Sequence, residues 1–380
     1  MAEPILIVLF LRGGADGLSL VAPTGDPDYR VARPDALRVL SGGDRPGHRM
    51  ADQLADVDFR FHPAAGPLAD LFRAGELSVV HATGLSDGTR SHFAAEDAME
   101  RAGDGPNDGA GASGWIGRWL SETAPDGPLP ALAVGTGLPE SLRGWPRVAV
   151  AETLSQLILA QGHPARGFYA DRLRDGLGSH PLLGPPLEQL LALSALLEAR
   201  LGRADGLGDY VPAVAYPERN PLAEAFKTVA QTIKLDLGLR VATVDFGGWD
   251  THDDQAGTFG KLAGRMSEAL SAFWRDLGDR AADVAVVVTS EFGRRLRSNT
   301  NGGTDHGRGN AMMVLGGGIR GGRMLGRWPG LAHDALDDGA DLAVTTDHRR
   351  VLADVVGRHL RTDPARVFPG FDPQPVGLFG

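Results

Sequence analysis

"ADVAVVVTS", Ala282 to Ser290, is an almost continuous run of β-branched residues. Such a run suits a strand covered on both faces, in the middle of a sheet. Polar residues follow it at once in "VVVTSEFGRRL", which brings Glu291 and Arg294, and the chain then reaches "GGTDHGRGNA", Gly302 to Ala311. A second core strand is expected at "NAMMVLGGG", Asn310 to Gly318. Upstream, "HDDQAGTFGKLAGRMSEALSAFWRDLG" reads as a long helix beginning near Asp253, itself preceded by a strand at "RVATVDFGG", Arg240 to Gly248. The unit is strand, polar glycine loop, helix, strand.

The same order opens the chain. "ILIVLFL", Ile5 to Leu11, predicts a strand buried on both faces, and it runs into "RGGADGLS" with Asp16 in the turn. "AAGPLADLFRAG", Ala64 to Gly75, predicts a helix with a glycine stop, and "LSVVHA", Leu77 to Ala82, another core strand. After it, His92 to Ala102 has helical character with Ser91 at the N-cap. Further helices are expected at Trp115–Glu122, Thr153–Gln161, Pro186–Leu201 and Leu222–Leu237. A last one, Thr345–Leu360, is expected to be capped by threonine, and a short strand is expected near "ALRVL". Alternation of this kind predicts a three-layer α/β/α fold with a mostly parallel central sheet. We read residues 1–380 as one α/β domain with irregular or helical insertions around 23–58 and 103–218.

Composition removes several chemistries. There is no cysteine, so disulfides, thiolate nucleophiles, cysteine-ligated zinc and iron–sulfur clusters are out. The formal net charge of -10 disfavours nonspecific contact with nucleic acid. The seven-residue run Ile5–Leu11 is too short to cross a bilayer and lacks a basic leader and a cleavage-type segment, so it reads as a strand and not as a signal peptide. The glycine loops lack the G-x-G-x-x-G spacing of dinucleotide folds and the Walker A pattern.

Functional loops in parallel sheets lie at the carboxyl ends of strands. Four expected strands end in polar groups there: Asp16; Ser91 flanked by Arg90 and His92; Asp250, His252 and Asp254 in "DFGGWDTHDDQ"; and Glu291 with Arg294, leading on to Asp305 and His306. Oxygen and imidazole groups together suit divalent cations. Each residue has a plainer reading as well. Asp16 fits an Asx turn, Ser91 and Asp250 fit helix caps, and Asp305 and His306 fit a solvated loop.

"LFLRGGADGLSLVAP", "TRSHFAAEDAME", "GGWDTHDDQ", "TSEFGR" and "GTDHGRGNAMMVLGGGIRGG" resemble a bacterial family of unassigned function, the DUF1501 proteins. That family is placed with the alkaline phosphatase superfamily, which includes sulfatases, phosphatases and cofactor-independent phosphoglycerate mutases. The resemblance implies an alkaline-phosphatase-like fold and a metal-dependent hydrolase of phosphate or sulfate esters, the ester carried on a sugar or lipid. It implies one or two divalent ions (Zn, Mn, Mg or Ca). Asp16 matches the first-strand ligand, Ser91 the metal-activated nucleophile, Asp250 the ligand opening the later Asp/His motif, and His306 the distal ligand. Glu291 stands where an Asp of the "DHG" block falls, and Phe292 where its His falls. His252 is offset by two from Asp250, and Asp254 holds the usual spacing of four. Arg90 and Arg294 are candidates for gripping ester oxygens. With no cysteine, a Cys-derived formylglycine is excluded. Members commonly carry a twin-arginine export leader, which implies a periplasmic setting. The alternative is a non-catalytic carbohydrate- or polymer-binding protein that keeps the fold.

Overall fold

Ile5–Leu11 forms strand β1 with all seven residues buried, as the apolar run predicts. The other strands of its sheet are β2 (Leu77–Gly84), β3 (Ala131–Val134), β4 (Val148–Val150), β5 (Val241–Phe246), β6 (Val284–Thr289), β7 (Asn310–Gly316), β8 (Met324–Leu325) and β9 (Thr346–Asp347). Their order is β8-β2-β7-β6-β1-β5-β3-β4, with β9 also paired to β2. This computed structural model describes residues 3–103, 112–201 and 210–380. The glycine-rich stretch at 104–111 and the part of the expected insertion at 202–209 lie outside the described residues.

The helices named below are α1 (Gly66–Arg73), α2 (His92–Arg101), α3 (Trp115–Thr123), α4 (Arg166–Leu177), α5 (Gly184–Leu201), α6 (Pro221–Lys234), α7 (Gln255–Leu277) and α8 (His348–Asp354). Side chains alternate across β1. Ile5, Ile7, Leu9 and Leu11 join one core with Phe226 of α6 and Phe273 of α7. Leu6 and Val8 join a second core with Trp115 and Trp119 of α3 and Val351 of α8. The result is the three-layer α/β/α architecture. Each fully buried aliphatic side chain contributes about 1.5–3 kcal/mol, so the central strands dominate stability.

Within this sheet the pairings of the described residues are parallel except those of β7, which runs antiparallel to β2 and β6. The cause is the connection. A parallel return needs a crossover, normally helical. The loop from Glu291 to Gly309 contains no helix and stays at the carboxyl edge of the sheet. The chain therefore enters β7 from that edge, and the residues before β7 share it with those after β1, β2, β5 and β6.

Several elements differ from expectation. "ALRVL" forms no strand; only Leu40 makes an isolated bridge, to Pro46, because Pro34 starts a turn in front of it. Leu154–Leu157 is a single short 3₁₀ turn. β3 and β4 are too short, and too closely hemmed by Pro and Gly, to show a period. α4 has no buried residue, so it lacks the apolar stripe that would reveal it. The helix expected at Thr345–Leu360 begins as α8, capped by Asp347, and after Asp354 it widens into a π-turn over Val355–His359. Among the described residues no helix is long and apolar enough to cross a membrane.

Candidate metal centre

Three imidazoles and one carboxylate meet at the carboxyl edge. His92 opens α2 after β2, Asp250 and His252 follow β5, and His306 precedes β7. His306 Nδ1 lies 2.9 Å from the carbonyl oxygen of Arg90. His252 Nδ1 lies 3.2 Å from Asp305 Oδ1. His92 Nδ1 lies 2.7 Å from Glu291 Oε1, which also accepts the Gly13 N–H at 2.8 Å. Carbonyl and carboxylate oxygens only accept, so all three Nδ1 atoms carry the proton. All three Nε2 atoms then present lone pairs.

Those lone pairs converge. His252 Nε2 and His306 Nε2 are 2.9 Å apart, and each is 3.1 Å from Asp250 Oδ1. His92 Nε2 is 3.4 Å from Asp250 Oδ2, within 4.8 Å of the His306 ligand atom, and is buried without a hydrogen-bond partner. A tetrahedral ion with nitrogen ligands at about 2.0–2.1 Å holds its ligand atoms about 3.3 Å apart. Facing lone pairs at this spacing repel unless a cation lies among them. Ligand atoms of His92, Asp250 and His306 lie within 4.8 Å of one another, with His252 adjoining Asp250 and His306; imidazoles tethered to outer carboxylate or carbonyl partners have the form of a ligand set for a borderline metal such as zinc.

Electrostatics favour the neutral form of His306 and the charged form of Asp250. Burial lowers the His306 imidazole below its usual value, against the pull of the Arg90 carbonyl and Asp250. Burial pushes the Asp250 carboxyl up, but the hydrogen bond and charge of Arg294 outweigh it and bring it down to about 2. Asp305 is held low by the hydrogen bond from Asn299 and, further, by that from His252.

The glycines of "GGTDHGRGNA" serve backbone packing. A Cβ on Gly303 would lie 2.2 Å from the His252 carbonyl oxygen, and one on Gly307 2.5 Å from the Arg294 carbonyl carbon. The loop is locked against the Asp250 segment by these approaches and by the Arg294–His306 bridge. Neither glycine faces the converging nitrogens.

The expected site residues separate into those at this point and those elsewhere. Asp250, His252 and His306 meet there. Asp305 sits one contact out, oriented on His252 and not on its neighbour His306. Glu291 is fully buried and orients His92, with Ser290 Oγ donating to its second oxygen at 2.9 Å. Glu291 also belongs, with His92 and Glu96, to a second group whose ligand atoms lie within 4.8 Å of one another.

Asp16 is elsewhere. It is fully buried in an ion pair with Arg33, also accepts from Ser19 and Gln255, and caps the short helix Gly17–Leu20, so its lone pairs are committed. Asp254 is exposed at the start of α7 in a left-handed conformation (φ 43°) and makes no cap hydrogen bond. The Arg90 guanidinium is held by Asp341 and Asp338. Arg294 is 1% exposed and donates to the carbonyls of Gly13, Gly14, Trp249 and Thr304 as well as to Asp250. Both guanidiniums are thus already paired with carboxylates. Ser91 is exposed at the N-terminus of α2, directly before His92, and its hydroxyl caps no N–H. Phe292 packs against His92 and His306, with ring centroids 4.9 and 4.8 Å away.

His92 is the residue that the motif comparison passes over. Its signal was its place, one step past Ser91 at a helix start on the shared edge.

The fold is similar to several solved structures. One is the C-terminal periplasmic domain of EcEptC from Escherichia coli in complex with Zn (7% identity, 83% of this chain and 74% of that chain covered, TM-score 0.38). Another is alkaline phosphatase from the Antarctic bacterium TAB5 (11% identity, 83% and 93% covered, TM-score 0.33). A third is BT1596, a 2-O GAG sulfatase (10% identity, 84% and 65% covered, TM-score 0.33). At these scores the likeness is one of general architecture. No curated protein matches the chain in sequence. Residues 218–370, which carry Asp250, His252, Glu291, Asp305 and His306, match the family described as "Protein of unknown function (DUF1501)".

Proposed function

We propose that the protein is a metal-dependent hydrolase of phosphate or sulfate esters, with one ion held by His92, His252, His306 and Asp250. The observation that carries this reading is the convergence of three Nε2 lone pairs on Asp250, each imidazole tethered through its opposite nitrogen. Three nitrogens and one oxygen favour zinc over magnesium or calcium. When bound, the ion would neutralise charge developing on the ester oxygens.

The chain's own contribution is position. Ser91 stands exposed beside His92 at the positive end of α2, where an anion is favoured. We assign its hydroxyl as the nucleophile. Its oxygen bonds to phosphorus or sulfur, and the alcohol departs with the proton that the hydroxyl gives up. Water then cleaves the seryl ester and restores Ser91.

We read residues 1–380 as one catalytic domain acting in the periplasm, following the family resemblance; cell fractionation checks the location. The packing of Phe292 between His92 and His306 favours the second reading, a binding protein that keeps the fold without turnover. Hydrolysis of p-nitrophenyl phosphate and p-nitrophenyl sulfate by zinc-loaded parent and Ser91→Ala protein separates the two. The proposal expects turnover in the parent, and none above background in S91A at unchanged zinc content. Equal turnover in S91A removes Ser91 as nucleophile, and zinc-loaded parent that turns over neither ester supports the binding protein.

A further inference from the structure

Beside the metal centre lies a cleft of about 640 Å³ at the same sheet edge. Its floor is Thr243 and Asp245 of β5 with Ala133 of β3, and α2 forms one wall. In β5 alternate residues point to opposite faces, so Thr243 and Asp245 share the face that looks onto α2. The side chain after His92, Phe93, is 87% exposed at the rim. A volume of this size accepts a monosaccharide-sized ligand.

The lining is acidic. Glu96, Asp97, Glu100, Glu140 and Asp245 face it, against one cation, Arg12. Arg12 is already bound by Glu100, Asp245 and Glu96. Arg101 and Arg143 reach Asp97 and Glu140 from outside, which still leaves two carboxylates in excess. An independent feature is Thr243. It is only 6% exposed, yet its hydroxyl lines the cleft and, among the described residues, has no hydrogen-bond partner. With the rest of the side chain buried, the hydroxyl opens onto the cleft, where it is available to pair with a ligand group.

We propose that this cleft binds an ammonium-bearing alcohol, the amine held by Asp245 and its neighbours and a ligand hydroxyl paired with Thr243. This rests on the proposed function only for the assignment of the bound molecule as the alcohol part of the ester. The anionic end would face the cation and the remainder would enter a negative field. Esters of anionic alcohols would be rejected by like charge.

The test uses glucosamine, glucose and glucuronate as probes, titrated by NMR into the full chain with and without zinc. Glucosamine is expected to bind about ten-fold more tightly than glucuronate, with glucose between them. Asp245→Asn should remove most of the amine preference. Thr243→Val should weaken glucosamine and glucose alike by about three- to ten-fold. Thermal melts and zinc content of both variants confirm that fold and ion are kept. Equal binding of glucuronate and glucosamine, or glucosamine binding unchanged in both variants, overturns the assignment. Failure to take up zinc while glucosamine still binds overturns the proposed function and leaves the cleft standing.

Discussion

Glu291→Gln isolates the outer support of the metal centre. Glu291 touches no other ligand than His92, and it is fully buried. The amide can be accommodated. Its oxygen takes the Oε1 place and keeps the Gly13 N–H, while its nitrogen donates to Ser290 Oγ, whose single proton then goes to the Leu11 carbonyl at 2.7 Å. The fold and the His92 tautomer therefore survive, but the negative charge that raises the imidazole's basicity is gone. Losing such a partner costs 10–100-fold in metal affinity. Full burial puts this case at the upper end, about 100-fold, or about 2.7 kcal/mol of metal-dependent stabilisation. Asp305→Asn, whose carboxylate is 47% exposed, should cost nearer ten-fold. Competition with a chromophoric zinc chelator measures both, alongside melts of apo and loaded protein. An E291Q protein with parental zinc affinity and a parental zinc-induced melting shift would refute the reasoning.

Other consequences follow from the same contacts. Asp16→Asn should leave Arg33 buried without its counter-charge and destabilise the protein by about 3–5 kcal/mol in denaturant unfolding, with zinc stoichiometry unchanged; lost zinc with intact stability would restore Asp16 as a ligand. Arg294→Met should cost a similar amount by stranding buried carbonyls and freeing Asp250, read as a lowered denaturation midpoint. His81 is fully buried, accepts the Ala82 N–H on Nδ1 and faces the Val21 carbonyl with Nε2, and burial brings its imidazole down to about 4. Between that value and the usual 6.5 the unfolded chain binds a proton and the folded one does not. Stability is thus whole above about pH 6.5, and on the order of 3 kcal/mol is lost as pH falls toward 4. Unfolding free energies across that range should slope less in His81→Leu than in the parent, and an unchanged slope would remove His81 as the cause.

The sheet was legible because its central strands are saturated with apolar residues. Ile5–Leu11 and Val284–Thr289 could satisfy no other environment, and their polar successors mark the functional edge. The direction of β7 was not legible, since an apolar run carries no polarity and only the helix-free connection decides it. Within the site, Asp250, His252 and His306 could be picked out from residue type and position. The roles of Asp16 and Arg294 could not, because an ion pair to Arg33 or a carbonyl-lined burial depends on what the fold brings alongside. His92 was hidden for a related reason. A lone histidine at a helix start looks like any other until Glu291, 199 residues later, accepts a hydrogen bond from its Nδ1–H. In the glycine loop, the closeness of Gly303 and Gly307 to the backbone of His252 and Arg294 depends on the fold as well.

The central claim is that His92, His252, His306 and Asp250 hold one metal ion. Plasma mass spectrometry of protein stripped with chelator, reconstituted with zinc and dialysed tests it most directly. The account predicts about one equivalent per chain, surviving dialysis as expected for a preorganised site. Less than about one-tenth equivalent after reconstitution would contradict it.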